Sequence, residues 1–256
     1  MKRSFIISAL VISLLLVSIV SSSMIIPLND KGKENGKALE HTETIDVDGD
    51  GEWDLARVDF IFPAKPENPG NSNKGPKQGS CYKLMGVKWK SNLPLSYSIN
   101  PNNSYGLTDS FVQDTISTSS ETWDNATITE LFSAPSINYS AQYGIQDYKN
   151  SIDFGNLESS IIGVTSVWYT RVGKQIVEFD MRLNTDYTWG DASVDPTLMD
   201  LENIVTHEMG HTVGLDDIYA STCSNVTMYG YGTEGETSKR TLESADIEGI
   251  QSLYGI

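Results

Sequence analysis

The chain has 256 residues and three histidines, two of which, His207 and His211, lie in the stretch HEMGHTVGLDD. Four apart on a helix, their imidazoles project from one face and can share a metal ion. Glu208 lies one position round, within reach of a water at that metal without ligating it. The combination suits hydrolysis: a zinc-type metal polarises a carbonyl and acidifies water, while the carboxylate takes the proton and returns it to a leaving amine. With so few histidines, chance seldom produces H-E-x-x-H. A third donor is needed, and two carboxylates compete. Glu234 would have to reach back from YGTEGETSKR, a Gly- and Thr-rich, loop-like stretch. Asp217 is nearer, because Gly214 can take a left-handed turn after the helix and double the chain back beneath the metal. Asp216 falls one residue short. Asp217 is the preferred ligand, since it needs only local geometry and explains Gly214.

Such residues must be carried by a helix over a sheet. Asp200 to Val213 reads as that helix, with Leu201, Ile204, Val205 and Met209 inward. Upstream, LPLSYSIN alternates Leu95, Tyr97 and Ile99 as a strand does, and NSIDFG, GVTSVWYT and KQIVEFDMRLN read as further strands. Thr108 can cap a helix running to about Asn125, with Phe111, Val112, Ile116, Ser119 and Trp123 on its inner face. A last helix spans about Glu243 to Tyr254, turning Ile247, Ile250 and Leu253 inward. Strands before the active helix, with helices flanking them, predict an α+β (mixed α/β) domain.

HEMGHTVGLDD followed by TMYGYG resembles the metzincin metalloproteases, in which H-E-x-x-H-x-x-G-x-x-[H/D] precedes a Met-containing turn. Met228 and Tyr229 match the Met and Tyr of that turn in matrixins. VKWKSNLPLSYSIN is similar to the first matrixin strand, IIGVTSVWY to the substrate-binding edge strand, and LESADIEGIQSLYGI to the closing helix. The likeness runs from about Val87 to Ile256 and is greatest to secreted archaeal and bacterial matrixin-like peptidases. It implies a twisted mixed sheet, an active-site helix and a C-terminal helix. It also implies one catalytic zinc on His207, His211 and Asp217, with Glu208 as general base. Protein or peptide substrates would add as a strand along Gly163, Val164, Thr165 and Ser166. Two departures matter. Asp217 stands where vertebrate-type matrixins have a third His, as in snapalysins, which lowers the site's net charge by one unit. The histidines of a second, structural zinc are also missing, since only His41 remains; structural Ca2+ on Asp180, Asp186 and Asp191 is one reading of what replaces it, and plain solvated carboxylates are the preferred one. Tyr231 lies one place too far from Met228 to match the oxyanion-binding Tyr of some metzincins, and reads as packing.

The N-terminal part is organised differently. Residues 1–23, MKRSFIISALVISLLLVSIVSSS, read as an export signal with Lys2 and Arg3 before an apolar run. A retained anchor facing outside is the alternative, because apolar residues resume at Met24–Ile26. Residues 24–62 read as a propeptide or a small Asp-rich accessory segment. The Pro-, Gly- and Asn-rich 63–80 reads as a linker, and 81–256 as the catalytic domain. DVDGDGEWD sets Asp46, Asp48, Asp50 and Asp54 around two glycines, the pattern of a Ca2+ loop or of an acidic hairpin turn. An EF-hand would need Glu where Arg57 stands, and the flanks look like strands.

Two cysteines in an exported chain predict a disulfide, Cys81 to Cys223. A Cys81 thiolate capping the metal is the alternative, but GSCYKL lacks the matrixin inhibitory motif. The formal charge of −16 disfavours nucleic acid and anionic membranes as partners, since phosphate contacts need Lys/Arg patches. The expected function is a monomeric, secreted zinc endopeptidase. Its rivals are a catalytically silent, Ca2+-stabilised binding protein, which would show a damaged Glu208 or histidine, and a non-peptidase zinc hydrolase.

Overall fold

The computed structural model describes residues 41–47, 54–66 and 81–256. The segment read as an export signal, Asp48, Asp50 and most of the linker lie outside them. Strands β1 (His41–Ile45) and β2 (Leu55–Pro63) pair antiparallel, from His41↔Asp59 to Ile45↔Leu55. After Cys81 come β3 (Lys83–Leu84), β4 (Tyr97–Ile99), α1 (Asp109–Asp124), β5 (Ser136–Ile137), β6 (Asn150–Gly155), β7 (Ile161–Thr170) and β8 (Ile176–Asn184). The short β9 (Trp189–Gly190) and β10 (Met199–Asp200) lead into α2 (Leu201–Thr212), followed by β11 (Leu215–Asp216) and α3 (Ser244–Tyr254).

Seven strands make one mixed sheet in the order β1-β2-β7-β8-β6-β4-β5. Neighbours among β8, β6, β4 and β5 are parallel, whereas β7 is antiparallel to both β8 and β2. The β1–β2 pair that precedes the linker thus extends the same sheet as the domain that follows it. The core lies between the sheet and helices α1 and α2, where Val112, Ile116 and Trp123 meet Ile204, Val205 and Met209. β7 is buried from Ile161 to Trp168, consistent with its near-continuous apolar run rather than a strict alternation.

The helix ends follow their sequence signals. Thr108 Oγ1 accepts the Phe111 amide at 3.1 Å and caps α1. Asp200 caps α2 by accepting from Asn203 N at 2.8 Å, and Arg240 neutralises it. Glu243 and Asp246 form a capping box on α3. Every residue of α2 from Asn203 to Thr212 is buried, so the helix is enclosed all round. Trp123 and Trp89 each donate an indole N–H to its carbonyls, at Thr206 and Thr212, both at 2.8 Å. The expected disulfide joins Cys81 to Cys223 across 142 positions, with a Cα separation of 5.5 Å. Among the described residues no helix is long and apolar enough to cross a membrane.

Candidate metal centre

The buried helix α2 brings His207 Nε2 within 3.2 Å of His211 Nε2. Gly214 has φ +103°, and a Cβ there would lie 2.5 Å from the Val87 carbonyl oxygen, so only glycine can make this turn. The returning chain places Asp217 Oδ1 at 3.2 Å from His207 Nε2 and 3.6 Å from His211 Nε2. Each imidazole donates its Nδ1–H to a carbonyl oxygen, His207 to Thr227 at 2.7 Å and His211 to Leu215 at 2.9 Å. Carbonyls only accept, so both Nε2 atoms carry lone pairs. Burial holds the imidazoles neutral, lowering His207 to about 3 and His211 to about 4, and raises the Asp217 carboxyl to about 6. Asp217 Oδ1 has no hydrogen-bond donor. Three lone-pair donors converging in a dry site repel one another unless a cation lies between them. Two imidazoles and a carboxylate fit zinc, and this is the single such convergence among the described residues.

A supporting shell holds these donors. Tyr219 donates its hydroxyl to Asp217 Oδ2 at 2.9 Å. The Met228 side chain lies under α2: a Cβ on Gly210 would meet Met228 Sδ at 2.3 Å. Asp246 of α3 accepts the amides of Thr227 at 2.8 Å and Met228 at 3.2 Å, fixing the turn whose Thr227 carbonyl orients His207. Tyr229 is buried, and Tyr231 packs edge-on against both Tyr219 and Tyr229.

Glu208 is fully buried, which raises its pKa well above the usual carboxylate value. Thr165 of β7 donates to its Oε2, while Oε1 has no partner and faces Gly163. Val164 and Ser166 point to the opposite face of β7, where Val164 packs with Ile61 and Ser166 donates to Asp59 at 2.6 Å. The strand read as a substrate edge is therefore not an edge here. Phe60 stacks on His211 with ring centroids 4.1 Å apart, and Phe62 lies 4.1 Å from His207.

Other expected residues separate. Asp180 is buried and accepts from Gly144 N and Ser151 Oγ, Asp191 pairs with Arg240, and Asp186 lies in the turn after β8. Asp180 and Asp191 have partners of their own, and the three do not converge on a shared cation site among the described residues. Asp54 accepts the Val47 amide at 3.0 Å, and Asp46 follows β1. Glu234 is exposed and apart from the histidines. Sequence reasoning passed over Phe60, Phe62, Tyr219 and Asp246. Only Asp246 carried a local signal, the capping-box spacing from Glu243.

A family model described as Matrixin matches residues 88–255. None of the curated proteins matches the chain. Its matched span takes in both histidines, Asp217, the Met228 turn and α3. The chain belongs to the matrixin family of metalloproteases.

Proposed function

We propose that this chain is a secreted zinc-dependent endopeptidase in which His207, His211 and Asp217 hold the metal and Glu208 is the general base. The observation that carries it is the convergence of two imidazole lone pairs and an unpartnered carboxylate oxygen next to a second buried carboxylate. Zinc held there would supply Lewis-acid polarisation of a carbonyl and acidify water. As general base, the Glu208 carboxylate would take a proton from water and return it to the leaving amine. Thr165 fixes the direction of that carboxylate. The backbone of β7 already pairs with an extended segment of the chain itself, β2, in an antiparallel ladder, which suits recognition of peptides rather than small esters. The disulfide and the apolar N-terminal run support export.

The test compares the full chain with Glu208→Gln for zinc content and for cleavage of an unfolded protein. Each is assayed as purified and after a cut introduced between residues 66 and 81. Parent activity that chelation and Glu208→Gln both abolish, with one zinc per chain retained in the variant, supports the reading. Zinc-loaded parent that cleaves nothing in either form would sink it and favour the silent binding protein.

A further inference from the structure

We infer that residues 81–87 form a strap that sets the third metal ligand, with Lys83 and the Cys81–Cys223 disulfide as positioning groups for Asp217. The inference rests on the metal-binding reading of His207, His211 and Asp217. The strap lies just upstream of residues 88–255, which match the family. Two of the three ligands depend on the short reversal after α2. Leu215 O orients His211 by accepting its Nδ1–H at 2.9 Å, and Asp217 follows two residues later. That reversal is gripped from outside. β11 pairs antiparallel with β3, Leu215 opposite Leu84 and Asp216 opposite Lys83. Met85 N donates to Gly214 O at 3.0 Å, and the Val87 carbonyl closes on the Gly214 turn. From behind, α3 backs the pair: a Cβ on Gly249 would meet Leu215 Cδ2 at 3.0 Å and Tyr82 Cβ at 3.2 Å.

A ladder of two residues has too few hydrogen bonds to hold itself. An ion pair and a covalent bond reinforce it, one on each side of the ligand. Before Asp217, Lys83 Nζ lies 2.5 Å from Asp216 Oδ2, on a carboxylate that is otherwise buried and whose Oδ1 accepts no hydrogen bond. Without Lys83, a buried charge beside the ligand would lose its counter-charge, and Asp216 would repel Asp217. After Asp217, the disulfide packs in one cluster with Ile218 and Tyr229, and Ile218 stands between the ligand and Tyr219. The strap therefore holds Asp217 at Gly214–Asp216 through β3 and at Ile218 through the disulfide. A site must keep its ligands to within about 0.5 Å, so loosening this reversal lowers metal affinity before the domain unfolds.

The test compares the full chain with Lys83→Met and with Cys81→Ser plus Cys223→Ser, which breaks the link without leaving thiols to bind metal. Zinc affinity is measured by chelator competition, well below each melting temperature, and each change is repeated on an Asp217→Asn background. Hydrogen exchange at residues 213–219 is followed without metal. Both strap variants are expected to lose about tenfold or more in affinity, but under about threefold beside Asp217→Asn. Exchange at 213–219 should quicken while that of α1 stays as in the parent. Unchanged affinity in Lys83→Met overturns the strap, whether or not the cysteine variant folds. An equal loss in both backgrounds also overturns it, because the effect then does not pass through Asp217. A parent that binds no zinc sinks the metal reading instead; the strap is then kept by faster exchange at 213–219 in Lys83→Met and lost without it.

Discussion

At the residue scale the centre depends on how three donors are held without protons. The Nδ1–H bonds to Thr227 and Leu215 settle the tautomers, and Tyr219 does the corresponding service for Asp217. Tyr219→Phe keeps the ring that packs against Gly230 but deletes the hydroxyl donor. Zinc affinity, read by competition with a chromogenic chelator, is expected to fall about 10–100-fold, the usual cost of losing an outer-shell partner. Asp217→Asn removes the charge itself and should weaken zinc binding further than Tyr219→Phe. Equal affinities for Asp217→Asn and the parent would show that Asp217 is not a ligand. His207, Glu208, His211 and Gly214 were legible because helical spacing and a left-handed turn are local properties. Tyr219 was not, because its hydroxyl reaches Asp217 only after Ile218 has paired with the turn at Tyr229.

At the element scale α2 is set by what it must pack against. Gly210→Ala would raise intrinsic helix propensity by roughly 1 kcal/mol in an exposed helix. Here the added Cβ would meet Met228 Sδ at 2.3 Å and Trp123 Cζ2 at 2.8 Å. Overpacking of this kind costs about 1–3 kcal/mol, so the urea midpoint should fall; a rise would mean that the turn yields easily. Asp246→Ala breaks the capping box and strands the amides of Thr227 and Met228, an expected loss of about 2 kcal/mol in the same unfolding assay. The three helices were readable from caps and periodicity at Thr108, Asp200 and Glu243. The two-residue strands β3, β5, β9, β10 and β11 were not, since they are defined by the partner each meets rather than by any pattern of their own.

Across the whole molecule, two buried carboxyls on β8 tie stability to pH. Burial raises both Glu178 and Asp180 to about 7, against the amide and hydroxyl donors that favour their charged forms. Their folded values lie above the unfolded ones, so the native state binds more protons between about pH 4 and 7 and loses stability as pH rises through that window. Asp180→Asn removes one of these groups. Its melting temperature relative to the parent should climb from pH 5 to pH 8 by about 3 °C or more, and a flat difference would refute the assignment. Asp191, held low by Ser193 and Arg240, acts in the opposite sense and only at acid pH. The pairing of β2 with β7 also belongs to this scale, because it joins residues over a hundred positions apart in one sheet.

The sequence by itself determined the catalytic vocabulary. The H-E-x-x-H pair, the glycine that reverses the chain, the Met228 turn, the capped helices and the pairing of Cys81 with Cys223 are each set by near neighbours or by a simple count. Tertiary structure decided which strand lies beside β7. Backbone N–H and C=O groups along an edge accept any extended chain, so Gly163–Ser166 could be recognised as a pairing strand without revealing its occupant. LARVDFIF likewise read as a strand, but nothing in its alternation said that Phe60 and Phe62 would rest on His211 and His207. Carboxylates show the same division. Asp180 and Asp191 were acidic residues of the right type for a cation, and the fold supplied amide, hydroxyl and guanidinium partners instead. Chemical type and short-range spacing are local, whereas the choice among partners of equal chemistry is made only when the whole chain has packed.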